Sequence, residues 1–406
     1  MKNDLLRDLR GVRDILYWAA TLRVQRMISI QSGLNTLEKL TLLSRDSQYD
    51  LACACGMNAE DRRRRSKDGA WIYPVALPER RARTFLFKTL ISNVCVNDCK
   101  YCPLRANLDP RRCALTPDEI VSAFWDYYRA GKVMGLFVSS GVIGTPDQTM
   151  ERLNAIAATL RKQQFKGYIH LKVIPGASDA AIQEAVSLAS AVSINIETAG
   201  ERHFQHLSAR KHYQEDVIRP MKLISELTQP GSPFSRVRQT TQFVVGASDE
   251  TDREIVNYAW GLYKRLGLQR VYFTAYQRGL GDAELPGERS NVSNQDMLVR
   301  EHRLYQVDWL MRKYGFAQDD FLFDDAGNLS LAADPKEIWA QRHPEFFPVN
   351  INTAEKYTLL RVPGLGPTTV NTILAQRKQG QKVRALADLG RVGKRLQKAA
   401  NYLVFA

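Results

Sequence analysis

The sequence predicts an α/β protein, a partial, TIM-like barrel of six βα units followed by a small all-α C-terminal domain. Three observations predict it. Short apolar, β-branched runs alternate with helix-like segments through the middle of the chain. These runs are continuously apolar more than alternating, which suits parallel strands covered on both faces. From residue 351 onward the strand-like runs give way to helical patterns arranged around a glycine hairpin.

The elements follow in order. "TFLFKTLI" (84–91) is the first strand. "TPDEIVSAFWDYYRAG" (116–131) opens with Thr116 as N-cap, Pro117 at the first helical position and acids in the first turn. "GLFVSS" (135–140) precedes "TPDQTMERLNAIAATLRKQ" (145–163), which has the same T-P-D opening. "YIHLKVI" (168–174) leads into the helix "SDAAIQEAVSLA" (178–189). "VSINIET" (192–198) leads into a basic helical stretch from about 213 to 227. "TTQFVVG" (240–246), "DETDREIVNYAWGLYKRLG" (249–267) and "RVYFTAY" (270–276) close the series. The expected divisions are a helical and basic extension over 1–80, the barrel over 81–315, a bridging segment over 316–350 that includes "DPKEIWAQRHPEFFP", and the tail domain over 351–406. In such a barrel the loops after the strand C-terminal ends carry the chemistry.

Composition narrows the setting. A chain of 406 residues exceeds what one growing core accommodates, so a second, smaller domain is expected. No run of about eighteen uncharged apolar residues appears, which argues against a membrane span. "MKNDLLRDLRGVRDIL" does not read as a secretory leader. Three of the six cysteines crowd into one loop, so a reducing cytoplasm is expected rather than a disulfide framework. The formal charge is +14, and from 351 to the end ten cations face two acids, a net +8 on a short segment. A second basic run, "EDRRRRSKD" (60–68), reads as a solvated loop.

The cysteine loop, "SNVCVNDCKYCPLR" (92–105), places Cys95, Cys99 and Cys102 at Cys-x3-Cys-x2-Cys spacing. Structural zinc is closed by four ligands, and zinc here would have to borrow Cys53 or Cys113. A [4Fe-4S] cluster held by three thiolates instead leaves one iron open, free to chelate S-adenosylmethionine (SAM). The loop resembles the signature of the radical SAM superfamily, with the aromatic Tyr101 just before the third cysteine. The resemblance implies a radical SAM barrel, reductive cleavage of SAM to a 5′-deoxyadenosyl radical, and an electron donor such as flavodoxin or ferredoxin. It also assigns later strand ends. Ser139, Ser140 and Gly141 stand where the superfamily usually has a Gly-Gly-Glu-like motif that receives the SAM amino group; the acid is missing here. Asn195 and Glu197 are candidates for the ribose hydroxyls, or buried polar groups satisfied locally. "VVGASDE" resembles the glycine-containing adenine motif, with Gly246 admitting close approach and Glu250 capping the next helix. Lys172, inside an apolar strand, needs a carboxylate partner, either that of SAM or Glu197. Cys53, Cys55 and Cys113 are candidates for an auxiliary cluster, or small buried side chains. His170, His203, His206 and His343 lack ligand spacing and receive no role. Tyr276, at the sixth strand's end, is a weak catalytic candidate.

The tail supplies the second half of the reading. In "INTAEKYTLLRVPGLGPTTVNTILAQR" (351–377), Gly364, Leu365 and Gly366 sit between two apolar helices, with Thr368 placed to cap the second. The glycines free backbone amides at a helix N-terminus, an anion site, and Leu365 packs between the helices. This stretch resembles a helix-hairpin-helix motif of DNA-binding proteins. "VRALADLGRVGKRLQKAANYL" (383–403) resembles a degenerate second copy, with Gly393 in the hairpin and Lys394 and Arg395 after it. Paired hairpins grip phosphates of both strands without reading sequence, and a net +8 suits that role.

Over nearly the whole chain, "KYCPLR", "LFVSSGV", "HLKVIPGAS", "TTQFVVGASDETDREI", "RVYFTAY" and "RHPEFFPVNINTAEKYTLLRVPGLGP" resemble the radical SAM proteins assigned to DNA modification or repair. That resemblance implies a nucleic-acid target, duplex DNA first, and a uracil-DNA-glycosylase-like protein partner. Two other readings stay open: radical chemistry on RNA, a nucleotide or a small metabolite with the tail docking a partner, and a nucleic-acid-binding Fe-S redox sensor without catalysis.

Overall fold

A computed structural model describes residues 33–47, 71–76 and 83–406 of the chain. Its centre is a curled, seven-stranded half-barrel sheet whose strand order follows the sequence: β1 (Ile72–Ala76), β2 (Arg83–Leu90), β3 (Gly135–Ser139), β4 (Tyr168–Lys172), β5 (Ala191–Ser193), β6 (Arg238–Val245) and β7 (Arg270–Ala275). The strands from β2 to β7 pair in parallel, as the six predicted βα units require. β1 differs. It pairs antiparallel with β2, so part of the predicted helical extension over 1–80 is instead a sheet edge. The helical expectation does hold for α1 (Thr36–Asp46).

Helix starts follow the local chemistry. α2 (Pro117–Arg129) and α3 (Pro146–Lys162) begin at Thr116 and Thr145, each with a capping box and a proline in the first turn. Ser178 caps α4 (Asp179–Leu188). The predicted strand 192–198 is shorter than expected. β5 ends at Ser193, and Glu197 rejoins the sheet as an isolated bridge to Phe243 with φ of 66°. α5 (Glu201–Leu207) follows, unanticipated, and the predicted helix near 213–227 opens with a π turn (Tyr213–Ile218) before α6 (Arg219–Thr228). α7 (Asp252–Arg265) is capped by Thr251, whose capping box with Glu254 replaces the expected cap by Glu250.

A short α8 (Pro286–Arg289) leads to the long α9 (Asn294–Lys313), which covers the edge strand β7. Glu301 accepts from the Ala275 N–H and the Tyr305 hydroxyl from the Phe273 N–H, so side chains satisfy backbone donors that no eighth barrel strand takes. α10 (Pro335–Arg342) lies in the bridge. The tail holds α11 (Lys356–Arg361), α12 (Pro367–Lys378) and α13 (Lys394–Gln397). It is not wholly helical: β8 (Val349–Asn350) and β9 (Leu403–Val404) pair in parallel, a two-residue ladder too short to leave a sequence signal. One apolar cluster runs through both regions, from Leu136 and Phe243 in the barrel to Leu359, Leu365 and Ile373 in the tail. Among the described residues no helix is long and apolar enough to cross a membrane. Cys53, Cys55 and the basic run 60–68 lie outside the described residues.

A candidate cofactor site at the strand ends

The cysteine loop is held in place by backbone and by one buried cation. Gly141 N–H donates to the Ser92 carbonyl at 2.7 Å and Val96 N–H to the Val142 carbonyl at 2.9 Å, laying the loop beside the end of β3. The Arg112 guanidinium, 2% exposed, donates to the carbonyls of Leu104, Arg105 and Leu108 at 2.9–3.1 Å and also to that of Asn93. Burial weakens its hold on its proton, and four carbonyl dipoles are what compensate for the lost water. Asn93 in turn accepts from the Cys113 N–H at 2.8 Å. Asp98 accepts from the Ser208 hydroxyl and the Ala209 N–H, tying the loop to the end of α5.

Cys95, Cys99 and Cys102 line one cavity at the C-terminal ends of the strands. Burial pushes the Cys99 and Cys102 thiols up; the Lys211 ammonium opposes this at Cys99, while Cys95 adds to it there and Cys99 adds to it at Cys102, so a positive ligand would relieve them. Among the described residues no three His, Cys, Asp or Glu side chains converge on a single metal ion. Cys113 is elsewhere, 1% exposed in the apolar core with its thiol raised to about 11 by burial.

The other predicted residues divide. Ser139, Ser140, Gly141, Tyr101 and Lys172 line the same cavity, as do Asn195, Glu197 and Tyr276. The Lys172 ammonium donates to Asn195 Oδ1 at 2.6 Å. Glu197 accepts from the Tyr101 hydroxyl, whose proton is held by burial and by that carboxylate. The Ser140 Oγ is buried beside the cavity and has no hydrogen-bond partner among the described residues. Gly246 is not brought to the cavity wall. With φ of 78° it turns the chain behind Val244, and its N–H donates to Glu250 at 2.7 Å. The Tyr276 hydroxyl donates to Glu288, which also accepts from the Gly279 and Gly281 amides.

Lys211 is the residue that sequence reasoning missed. It lies in the turn before the π segment, outside any periodic pattern, and reaches the cavity to hydrogen-bond the Cys99 sulfur. Burial opposes its charge, yet the neighbouring thiol and the Glu197 carboxylate hold the ammonium above the usual lysine range. Below, toward the strand N-terminal ends, a second cavity shares Lys172, Asn195 and Gln242 with the first. Lys88, His170 and Ser193 make its wall polar, where a closed barrel is packed with branched apolar side chains.

At the other end of the molecule, Gly364 has φ of 87°, and a Cβ there would lie 2.4 Å from the Arg395 carbonyl oxygen. Only glycine lets the two tail segments meet this closely. Leu365 is buried between them, as anticipated. Thr368 is not the cap of α12: Pro367 takes the first helical position, so the cap falls on Gly366, and Thr368 is exposed one residue inside. Gly393 precedes α13, and Lys394 and Arg395 are exposed on it.

Comparison with known proteins adds the following. Residues 89–259 match the Radical SAM superfamily and residues 346–403 the helix-hairpin-helix motif. No curated protein matches the chain. Among solved structures it is similar to the FeFe-hydrogenase maturase HydG from Carboxydothermus hydrogenoformans, at 14% identity and a TM-score of 0.42, covering 54% of this chain and 50% of that one. Methylornithine synthase (PylB) gives 12% identity and 0.42, covering 54% and 62%. The radical S-adenosylmethionine methyltransferase TsrM from Kitasatospora setae, with cobalamin and a [4Fe-4S] cluster bound, gives 14% and 0.34, covering 47% and 34%. The alignment thus spans about half the length of the maturase.

Proposed function

We propose that this chain, whose residues 89–259 match the Radical SAM superfamily and whose residues 346–403 match the helix-hairpin-helix motif, is a radical SAM enzyme that modifies or repairs nucleic acid, with duplex DNA as its target. In this reading Cys95, Cys99 and Cys102 hold a [4Fe-4S] cluster and the cavity beside them holds SAM. When bound, these groups supply a 5′-deoxyadenosyl radical able to abstract hydrogen from an unactivated carbon.

The residues fit the groups. Three thiols on one cavity, one short of the four ligands that close structural zinc, match a cluster that keeps one iron open. The unpartnered Ser140 hydroxyl and the Ser139 hydroxyl replace the missing acid in receiving an amino group. Asn195 holds the Lys172 ammonium where it meets the carboxylate of the methionine part, and Glu197 and Asn195 face the ribose hydroxyls. Val244 backs the adenine, with Gly246 turning the chain behind it. Tyr101 closes the wall beside Cys102 and keeps Glu197 oriented. The tail grips phosphates through the hairpin at Gly364, Leu365 and Gly366, the exposed Thr368, and the second segment at Gly393, Lys394 and Arg395. An electron donor such as flavodoxin or ferredoxin and a uracil-DNA-glycosylase-like protein are the proposed partners.

The observation that carries this reading is the meeting of three thiols, Lys172, Asn195 and Ser140 on one cavity at the strand C-terminal ends. Anaerobic reconstitution is the test. About four irons and four sulfides should bind, and SAM with a reductant should yield 5′-deoxyadenosine; Cys99→Ala should yield none. Cluster binding without 5′-deoxyadenosine would sink the catalytic reading. Mass spectrometry of nucleosides from treated duplex DNA, RNA and free nucleotides should show a new product with DNA, and a product found only with the other two would remove the DNA assignment.

A further inference from the structure

Lys336, in the bridge stretch "DPKEIWAQRHPEFFP", sits where a lysine is costly. It is 7% exposed, donates from Nζ to the Leu365 carbonyl oxygen at 2.7 Å, and lies 4.7 Å from the centre of the Tyr314 ring. Leu365 is the tip of the hairpin, and the first turn of α12 that follows has no side-chain cap, so its amides stand open to an anion. Asp334 caps α10 by accepting from the Lys336 backbone N–H at 2.8 Å, and also accepts from Gln306, which fixes the helix that delivers the lysine. Methionine would fill the same space without the cost of removing an ammonium from water. A buried charge kept directly beneath a phosphate-gripping loop therefore points to the loop's task rather than to packing.

We propose that Lys336 is a positioning residue for phosphate binding: its ammonium clamps the Leu365 carbonyl from below, fixes the hairpin, and places positive charge under the open amides of α12. This rests on the nucleic-acid reading of the tail. Burial lowers the amine to about 7, with Asp334 opposing that fall. The groups facing it are Asp334 at the start of its own helix and the Tyr314 ring at the end of α9, and Arg395 on α13 acts in turn on Tyr314 while Lys398 on the tail acts on Asp334. No histidine occurs from 351 to the end, and His302 on α9, which acts on Asp334, is held below the usual histidine range by burial. The ammonium is present below about pH 7 and lost above it. Hairpin order and phosphate affinity should both fall as pH rises from 6 to 8.5. Stability moves the other way: a lysine held below its ordinary 10.5 disfavours the fold under protonating conditions, and that penalty fades as pH climbs from about 7 toward 10.5.

The test uses the full chain, with Lys336→Met and Lys336→Arg. Hydrogen exchange of the amides from 364 to 368 reads the clamp without nucleic acid, and titration with a duplex DNA of random sequence reads the grip. Lys336→Met should melt no lower than wild type, exchange faster in the hairpin and bind DNA about tenfold more weakly, the scale of one charge-assisted hydrogen bond. Lys336→Arg should keep most of the affinity and lose its pH dependence between 6 and 8.5. Unchanged exchange in Lys336→Met, or a lowered melting temperature with unchanged DNA affinity, would overturn the proposal. A wild-type chain that ignores DNA would instead count against the nucleic-acid reading, and the exchange measurement would still decide the clamp.

Discussion

A methyl group on Gly141 would lie 2.3 Å from the Val94 carbonyl oxygen and 3.3 Å from Cys95 Cβ, so the cysteine loop and the β3 loop approach only because that methyl is absent. Gly141→Ala is expected to displace Cys95 and lower the iron bound after anaerobic reconstitution to half or less, with little change in far-UV circular dichroism. Full iron uptake would show that the loop yields freely. At this scale the sequence was informative wherever a residue type is tied to a local role, as with the three cysteines or Thr116 and Thr145 at their helix starts. It was silent on Lys211 and Arg112. Their partners are a sulfur more than a hundred residues away in sequence and a set of backbone carbonyls, and neither leaves a pattern in spacing.

The elements show where periodicity stops being enough. β5 and the segment behind it read as one apolar run, yet the strand is Ala191–Ser193 alone, and Glu197, with positive φ, rejoins the sheet by a single bridge to Phe243 and lines the cavity. The junction between bridge and tail depends on Arg361, which donates to Asp320 at 2.9 and 3.0 Å and stacks on Phe316 and Trp339. Burial works against the Asp320 charge, but Arg361 and the Ala317 N–H outweigh it and hold the carboxyl below its ordinary 3.8. A depressed carboxylate stabilises the fold above its unfolded value and stops doing so as pH falls through the folded one. Asp320→Asn should therefore cost about 1–2 kcal/mol at pH 7 by thermal unfolding. The gap from wild type should narrow below about pH 4. Equal melting at pH 7 would mean that the aromatic stack alone anchors the tail.

For the whole molecule, the charge distribution and the shared core make different demands. Reversing Lys394 and Arg395 to glutamate should weaken duplex DNA binding at least tenfold at low salt and reduce the slope of log affinity against log salt by about two. Unchanged binding would assign the tail to protein docking. The core that runs unbroken from Phe243 to Leu365 fixes the hairpin relative to the barrel, so the tail is not a tethered module. By itself the sequence determined the parallel βα succession, the three-thiol loop at a strand end and the basic glycine hairpin, because strand pattern, helix caps, ligand spacing and charge are local properties of the chain. The tertiary structure alone decided that β1 joins the sheet antiparallel, that Lys172 meets Asn195, that Lys211 reaches Cys99 and that Lys336 lies under Leu365. Each of these joins groups that are distant in sequence, and such pairings are set by packing and by satisfying buried polar atoms, which exist only once the chain has folded.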